Sequence, residues 1–257
     1  MICFVTAFKN IGRDNWFHYH RSTLSYLMYF SKLVDNIDYP LVLYTTPDIL
    51  EKIVSTICLK PNILLVDSSR LSTYSETHIS RERSIMASDE YKKKIPAVRK
   101  NVPEHTIAEY TLINHSKVQY IAHTKKIMPG FDYYSWLDFG FGQNDVSVVP
   151  RNINYRKLTA KIIYNNMDTL PKSRLDANTM LTTNEIYLCG GSLIVHTSLV
   201  ERFEALYTKK LDEWQTQCIA DDDQNLVYQL YCENPELFHL VPTQKYCSMF
   251  KEWLNCP

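Results

Sequence analysis

Short apolar runs alternate with amphipathic stretches along most of the 257 residues. Residues 2–8, 41–44 and 63–67 are β-branched, aromatic or leucine-rich, and each is short enough to be a strand buried on both faces. Between them, residues 18–34 and 48–57 place apolar side chains at roughly helical spacing, with Asn15 available as a cap for the first. Strand, helix, strand, helix, strand within 67 residues predicts a parallel, doubly wound beginning. Residues 68–130 depart from that rhythm. They predict helices over 81–94 and 106–128, packed beside the sheet as an insertion. Further strands are expected at 133–138, 146–149, 161–164, 186–196 and 237–241. The 186–196 strand should be bent or interrupted at Gly190-Gly191. Residues 165–184 read as polar and irregular, 198–215 as a helix, 221 onward as another helix, and 242–257 as a tail. The chain is expected to be one domain, with a nucleotide-binding start (1–67), the insertion (68–130) and a metal and acceptor half (131–241). The fold class is α/β, with a mixed, mainly parallel sheet flanked by helices.

The run Tyr133-Tyr134-Ser135-Trp136-Leu137-Asp138-Phe139-Gly140 carries the first chemical signal. It delivers a single carboxylate to the end of a buried strand, followed two residues later by a turn-forming glycine. In open α/β sheets, ligands bind at that end of the strands. Asp138 and the loop after the first strand therefore fall where a nucleotide and its metal would sit. Mg²⁺ or Mn²⁺ is commonly held by one or two carboxylates together with substrate phosphates. Asp138 is the expected metal ligand, and Asp145 is a possible second one.

Composition narrows the partners. Lys+Arg and Asp+Glu are both 28, so no overall field draws the chain to nucleic acid or to a membrane surface. No apolar run approaches the roughly 18 residues of a membrane span. The seven cysteines are scattered without a Cys-x-x-Cys spacing, which suggests free thiols and a cytoplasmic location. Three successive aspartates, Asp221-Asp222-Asp223, open a helix. They suit the helix dipole, and Asp222 or Asp223 also suits a base that deprotonates an incoming hydroxyl. Gly190-Gly191 would let backbone approach a ligand, or simply form a bulge. Lys117 and Arg13 are candidate phosphate partners. Asp138-Phe139-Gly140 also spells a kinase metal motif, but none of the other kinase motifs accompanies it.

Several of these pieces come in a familiar order. Thr6-Ala7-Phe8 is followed by Ile11-Gly12-Arg13 and Trp16, then by Tyr110-Thr111 with Ser116-Lys117. Next come Tyr134-x-Trp136-x-Asp138-Phe139-Gly140, Gly190-Gly191 and Asp222-Asp223-Gln224. Over about residues 2–240 this resembles the HtrL/YibB family of bacterial proteins, which is associated with sugar transfer onto surface polysaccharide or lipopolysaccharide. The resemblance implies a GT-A type fold and a nucleotide sugar, UDP- or GDP-linked, as donor. It implies that Thr6, Ala7, Phe8 and Arg13 line the nucleotide, with Lys117, Trp136 and Asp138 toward the diphosphate. Gly190 and Gly191 would face the sugar and acceptor, and Asp222 or Asp223 would be catalytic. GT-A enzymes hold metal and diphosphate with a strand-end Asp-x-Asp. Here the second acid is Gly140, so the metal must find another ligand or be dispensable. The alternatives to a glycosyltransferase are a nucleotide-sugar or glycan binder without catalysis, and a metal-dependent phosphoryl hydrolase.

Overall fold

A computed structural model of the chain describes residues 1–71, 73, 76–167, 175–182, 187–245 and 247–254. The expected strand start at Ile186, the Cys256 thiol and part of the 165–184 stretch lie outside them. The first half runs β1 (Ile2–Phe8), α1 (Thr23–Asn36), β2 (Leu41–Thr45), α2 (Pro47–Thr56) and β3 (Ile63–Asp67). Five helices follow: α3 (Glu76–Ala87), α4 (Asp89–Lys94), α5 (Pro103–Thr106), α6 (Ala108–His115) and α7 (Lys117–Ile127). The second half contains β4 (Tyr133–Leu137), β5 (Ile162–Met167), α8 (Ala177–Thr182) and β6 (Leu188–His196), then α9 (Val200–Thr216), α10 (Asp223–Glu233) and β7 (Phe238–Thr243).

The strands form one seven-stranded sheet in the order β3-β2-β1-β4-β6-β5-β7. Strands β1 to β4 are parallel to one another, β6 is antiparallel to both β4 and β5, and β7 is parallel to β5. The sheet is therefore mixed and mainly parallel, with helices on both faces. Its central strands are mainly apolar and almost wholly buried because both faces are covered. On β1, Cys3 and Val5 join the core that includes α7, α9 and α10, whereas Ile2, Phe4 and Phe8 join the core that includes α1 and α2.

Several boundaries differ from those expected. Helix α1 begins at Thr23 and not at 18, because Ser22, not Asn15, caps it by accepting the Ser25 N–H at 3.1 Å. The expected 81–94 helix is two helices, since Ser88 starts a new one by accepting the Tyr91 N–H. The expected 106–128 helix breaks at Ile107 and Ser116 into α5, α6 and α7. Residues 146–149 are no strand. The Asp145 carboxylate accepts the Ser147 N–H at 2.9 Å and winds Val146–Val148 into a 3₁₀ turn. Residues 177–182 are helical where irregular chain was expected. The tail also folds in: Met249, Phe250 and Leu254 are fully buried, and Phe250 packs edge-on against Phe4 and Phe141.

The insertion is anchored by polar groups as well as apolar ones. Glu82 of α3 is fully buried and accepts hydrogen bonds from Thr111 of α6 at 3.2 Å and Gln215 of α9 at 2.8 Å. Burial lifts its pKa to about 7, although both hydrogen bonds oppose that rise.

Candidate active site

In the strand order, one change of direction falls between β1 and β4. From β1 the chain moves outward to β2 and β3, then returns to lay β4 on the other side of β1. Crevices at such a switch point, beyond the carboxyl ends of the strands, are where α/β sheets take ligands. β1 and β4 are parallel and paired through Val5 and Trp136, so Phe8 and Leu137 end at the same edge. A cavity of about 360 Å³ opens there. Ala7, Phe8, Arg13, Lys117, Trp136 and Asp138 all line it, six residues drawn from four separate stretches of sequence.

The walls follow from local structure. After β1 the chain turns at Gly12, whose φ of 75° is left-handed and costs little without a Cβ. Asp14 ties this loop to the start of α1, accepting the Thr23 N–H at 2.7 Å. The turn presents Arg13, whose Nε donates to the Tyr19 carbonyl at 2.7 Å and whose guanidinium donates to the Tyr26 hydroxyl at 2.8 Å. Arg13 also lies over the rings of Trp16 and Tyr110, at 5.3 and 5.8 Å. Arg21 lines the same cavity and lies over Tyr26 and Tyr29, again at 5.3 and 5.8 Å. Behind them Phe8, Phe139 and Phe30 stack, with centroids 4.7 and 4.5 Å apart.

Elsewhere on the cavity wall Asp138 follows the last residue of β4, and its side chain is 48% exposed. Its Oδ1 accepts the Trp136 indole N–H at 2.7 Å and lies 3.6 Å from the Lys117 ammonium. Lys117 is the first residue of α7 and only 4% exposed. It donates to Asp223 Oδ2 and to the Gly190 carbonyl, both at 2.9 Å. Burial opposes its charge, but Asp138 and Asp223 outweigh burial and hold its pKa above the usual lysine range. Asp223 is also 4% exposed; burial raises its pKa to about 7 against the pull of Lys117. Asp138, Lys117 and Asp223 thus form one continuous row of charge.

The three aspartates at the α10 start do three different things. Asp221 faces inward: it accepts from Asn225 at 2.8 Å and from the Asp222 N–H at 2.9 Å, and it meets Arg99 at 3.5 Å. Asp222 caps α10 by accepting the Gln224 N–H at 3.1 Å, and it also binds the Gln224 amide. Asp223 points the other way, to Lys117. His115 supports this corner from α6. Burial holds its pKa down at about 3, so the neutral ring donates to the Asp221 carbonyl through Nε2 at 3.0 Å and accepts the Tyr207 hydroxyl at Nδ1, 2.6 Å away.

Gly190 and Gly191 lie within β6, which runs through them without a break. The ladder to β5 does skip here: Tyr164 pairs with Leu193, but Asn166 pairs with Leu188. A Cβ on Gly190 would come within 3.1 Å of both Asp223 carboxylate oxygens, and one on Gly191 would lie 2.3 Å from the Cys247 sulfur and 3.4 Å from Asp138 Oδ2. The glycines therefore leave room for the Asp138 and Asp223 carboxylates, although of these four residues only Asp138 lines the cavity. Thr6 does not reach the cavity. It is fully buried, two residues before the strand end. Asp145 sits on the rim with its carboxylate bound to Ser147 and, at 3.0 Å, to Lys251.

Among the described residues no group of three or more His, Cys, Asp or Glu side chains is placed to hold a metal ion. At Asp138 the neighbouring cation is Lys117, and Gly140 supplies no second carboxylate. The sequence reading missed Arg21 and Cys247. Arg21 had one available signal, its place in the aromatic and basic run that follows β1.

Two solved structures are similar to the chain at low identity. One is a glycosyltransferase involved in the glycosylation of the major capsid of PBCV-1, with 11% identity, 93% of this chain and 82% of the other covered, and a TM-score of 0.40. The other is 4-diphosphocytidyl-2C-methyl-D-erythritol synthase from Anaerococcus prevotii DSM 20548, with 13% identity, coverage of 96% and 90%, and a TM-score of 0.41. No curated protein matches. The family model HtrL_YibB, described as a bacterial protein of unknown function, matches residues 1–253, and the chain belongs to this family.

Proposed function

We propose that the chain is a GT-A type glycosyltransferase that moves a sugar from a nucleoside-diphosphate sugar to an acceptor hydroxyl. The donor is a UDP- or GDP-sugar, and the acceptor a surface or lipopolysaccharide-type glycan built from the cytoplasmic side. One observation carries the reading: a cavity at the switch point between β1 and β4, lined by a strand-end carboxylate and two arginines. A volume of about 360 Å³ lies within the usual range for small-molecule sites. In this reading Ala7, Phe8 and Arg13 hold the nucleotide, and Trp136, Lys117 and Asp138 face the diphosphate. Gly190 and Gly191 bring β6 close beneath the sugar. Asp223 takes the acceptor's proton, since a base working near neutrality needs a pKa close to 7. Asp222 caps the helix that carries it.

Thermal melting with UDP-, GDP-, CMP- and dTDP-sugars, each with EDTA or with Mn²⁺, tests the reading. A ligand that binds only the folded chain raises the melting temperature by mass action. A rise with one nucleotide class is the expected result and identifies the donor to use in transfer assays. A donor that binds but stays intact over hours in the presence of glycan acceptors would make the chain a binding protein instead. No rise with any of the four would count against donor binding altogether.

A further inference from the structure

Accepting the donor reading above, we propose that the donor's diphosphate is neutralised by Arg13 and Arg21 acting as a pair, without a divalent cation, and that Arg21 is a donor-binding residue. The two guanidinia line one cavity and share the Tyr26 ring between them: Arg13 donates to its hydroxyl and Arg21 lies over its face. Arg13 is held by a backbone carbonyl, a phenol and two aromatic rings, none of which neutralises it. Arg21 is held by aromatic faces. Neither forms an ion pair with a carboxylate among the described residues. The chain has as many acidic as basic residues, and elsewhere Arg83, Lys94 and Arg99 each meet a carboxylate. Two permanently charged, oriented guanidinia left unpaired in one cavity call for an anion. Their planar forks match phosphate oxygens in a way that a lysine does not.

The surroundings of Asp138 point the same way. A divalent cation at Asp138 would need carboxylate charge to offset the cost of approaching Lys117. Asp138 Oδ1 already accepts from Trp136 and faces the Lys117 ammonium, Asp223 is turned to Lys117, and Asp145 is bound to Lys251. The donor set does not fit a metal ion. The positive charge left unpaired at the cavity is that of Arg13 and Arg21, since Lys117 already meets Asp138 and Asp223. Asp138 then serves to position Trp136 and Lys117.

Calorimetry with UDP, GDP and inorganic pyrophosphate, in EDTA and in Mn²⁺, separates the possibilities. With wild-type chain, at least one nucleotide and pyrophosphate should bind in EDTA, with Kd within about threefold of the value in Mn²⁺. Arg21→Gln should weaken both about tenfold or more, the scale of one lost charged hydrogen bond, with an unchanged melting temperature. Arg21→Lys, which keeps the charge but not the fork, should lose less and covers the case in which the glutamine variant folds poorly. Binding that requires Mn²⁺ would overturn the inference and leave the donor reading standing, as would Arg21 variants that bind like wild type. No binding of any probe, with or without Mn²⁺, would overturn both.

Discussion

Gly191 is the most crowded position in the site. A methyl group there would sit 2.3 Å from the Cys247 sulfur, well inside contact distance, on a strand that also holds the Asp138 N–H at 3.0 Å. Gly191→Ala should therefore cost about 1–3 kcal/mol, the range for forcing extra bulk into packed structure, and lower the urea midpoint. Adding Cys247→Ala removes the obstructing sulfur and should restore most of the loss. A double variant as unstable as the single one would place the strain elsewhere. Asp223 is a different kind of residue, buried against the Lys117 ammonium and proposed above as the base. Asp223→Asn keeps its shape and removes its charge. It should leave donor Kd within about threefold while lowering kcat by about a hundredfold, the scale of a lost general base. Because its pKa is about 7, wild-type kcat should rise as pH passes through that value, and the asparagine variant should lose that limb.

At the scale of elements, Asp222 illustrates how one carboxylate can look catalytic in sequence and serve a helix. It caps α10, so Asp222→Ala should destabilise the chain by about 1 kcal/mol, while Asp222→Asn, which still accepts the Gln224 N–H, should cost little in denaturant melts. The elements that were legible in the sequence are those with short, continuous apolar runs. β1 and β3 carry the bounds expected of them, and β2 and β4 differ by one residue at the end. Illegible elements were those decided by a single side chain. Asp145 coils a β-branched run, Ser22 sets the start of α1, and Ser116 breaks a helix so that Lys117 can turn inward. The candidate site was legible as parts. Asp138, Lys117, Asp223 and the glycine pair each stand out along the chain. That one ammonium links two of those carboxylates and a glycine carbonyl depends on contacts spanning up to 106 positions, which no local spacing records. Arg21 was missed because its one signal, the aromatic and basic run after β1, does not by itself separate it from an exposed surface arginine.

The molecule as a whole should respond to pH through its buried carboxyls. Glu82 has a folded pKa of about 7, above its ordinary 4.5, so the fold binds its proton more tightly than the unfolded chain does. Its contribution is complete at pH values below 4.5 and is lost as pH rises through 7, a difference of roughly 3 kcal/mol. Asp221 and Asp223 act in the same direction, whereas His105 and His115, held near 3, act in the opposite one. The comparison that isolates Glu82 is the stability gap between wild type and Glu82→Gln, which should move in favour of the variant from pH 4.5 to pH 8. An unchanged gap would mean that Glu82 is ionised in the fold across that range. The sheet order has a further consequence, in the time at which the site comes into being. β4 is flanked by β1, made long before it, and by β6, made some fifty residues after it. On a ribosome, the parallel half can therefore pair while the far edge of Tyr133–Leu137 is still open. During that interval Lys117 and Asp138 have each other but not Asp223, which arrives only once residues 188–223 have emerged. A nascent chain stalled before β6 would expose an apolar strand edge beside a half-neutralised lysine, the moment in synthesis when this protein has most need of a chaperone.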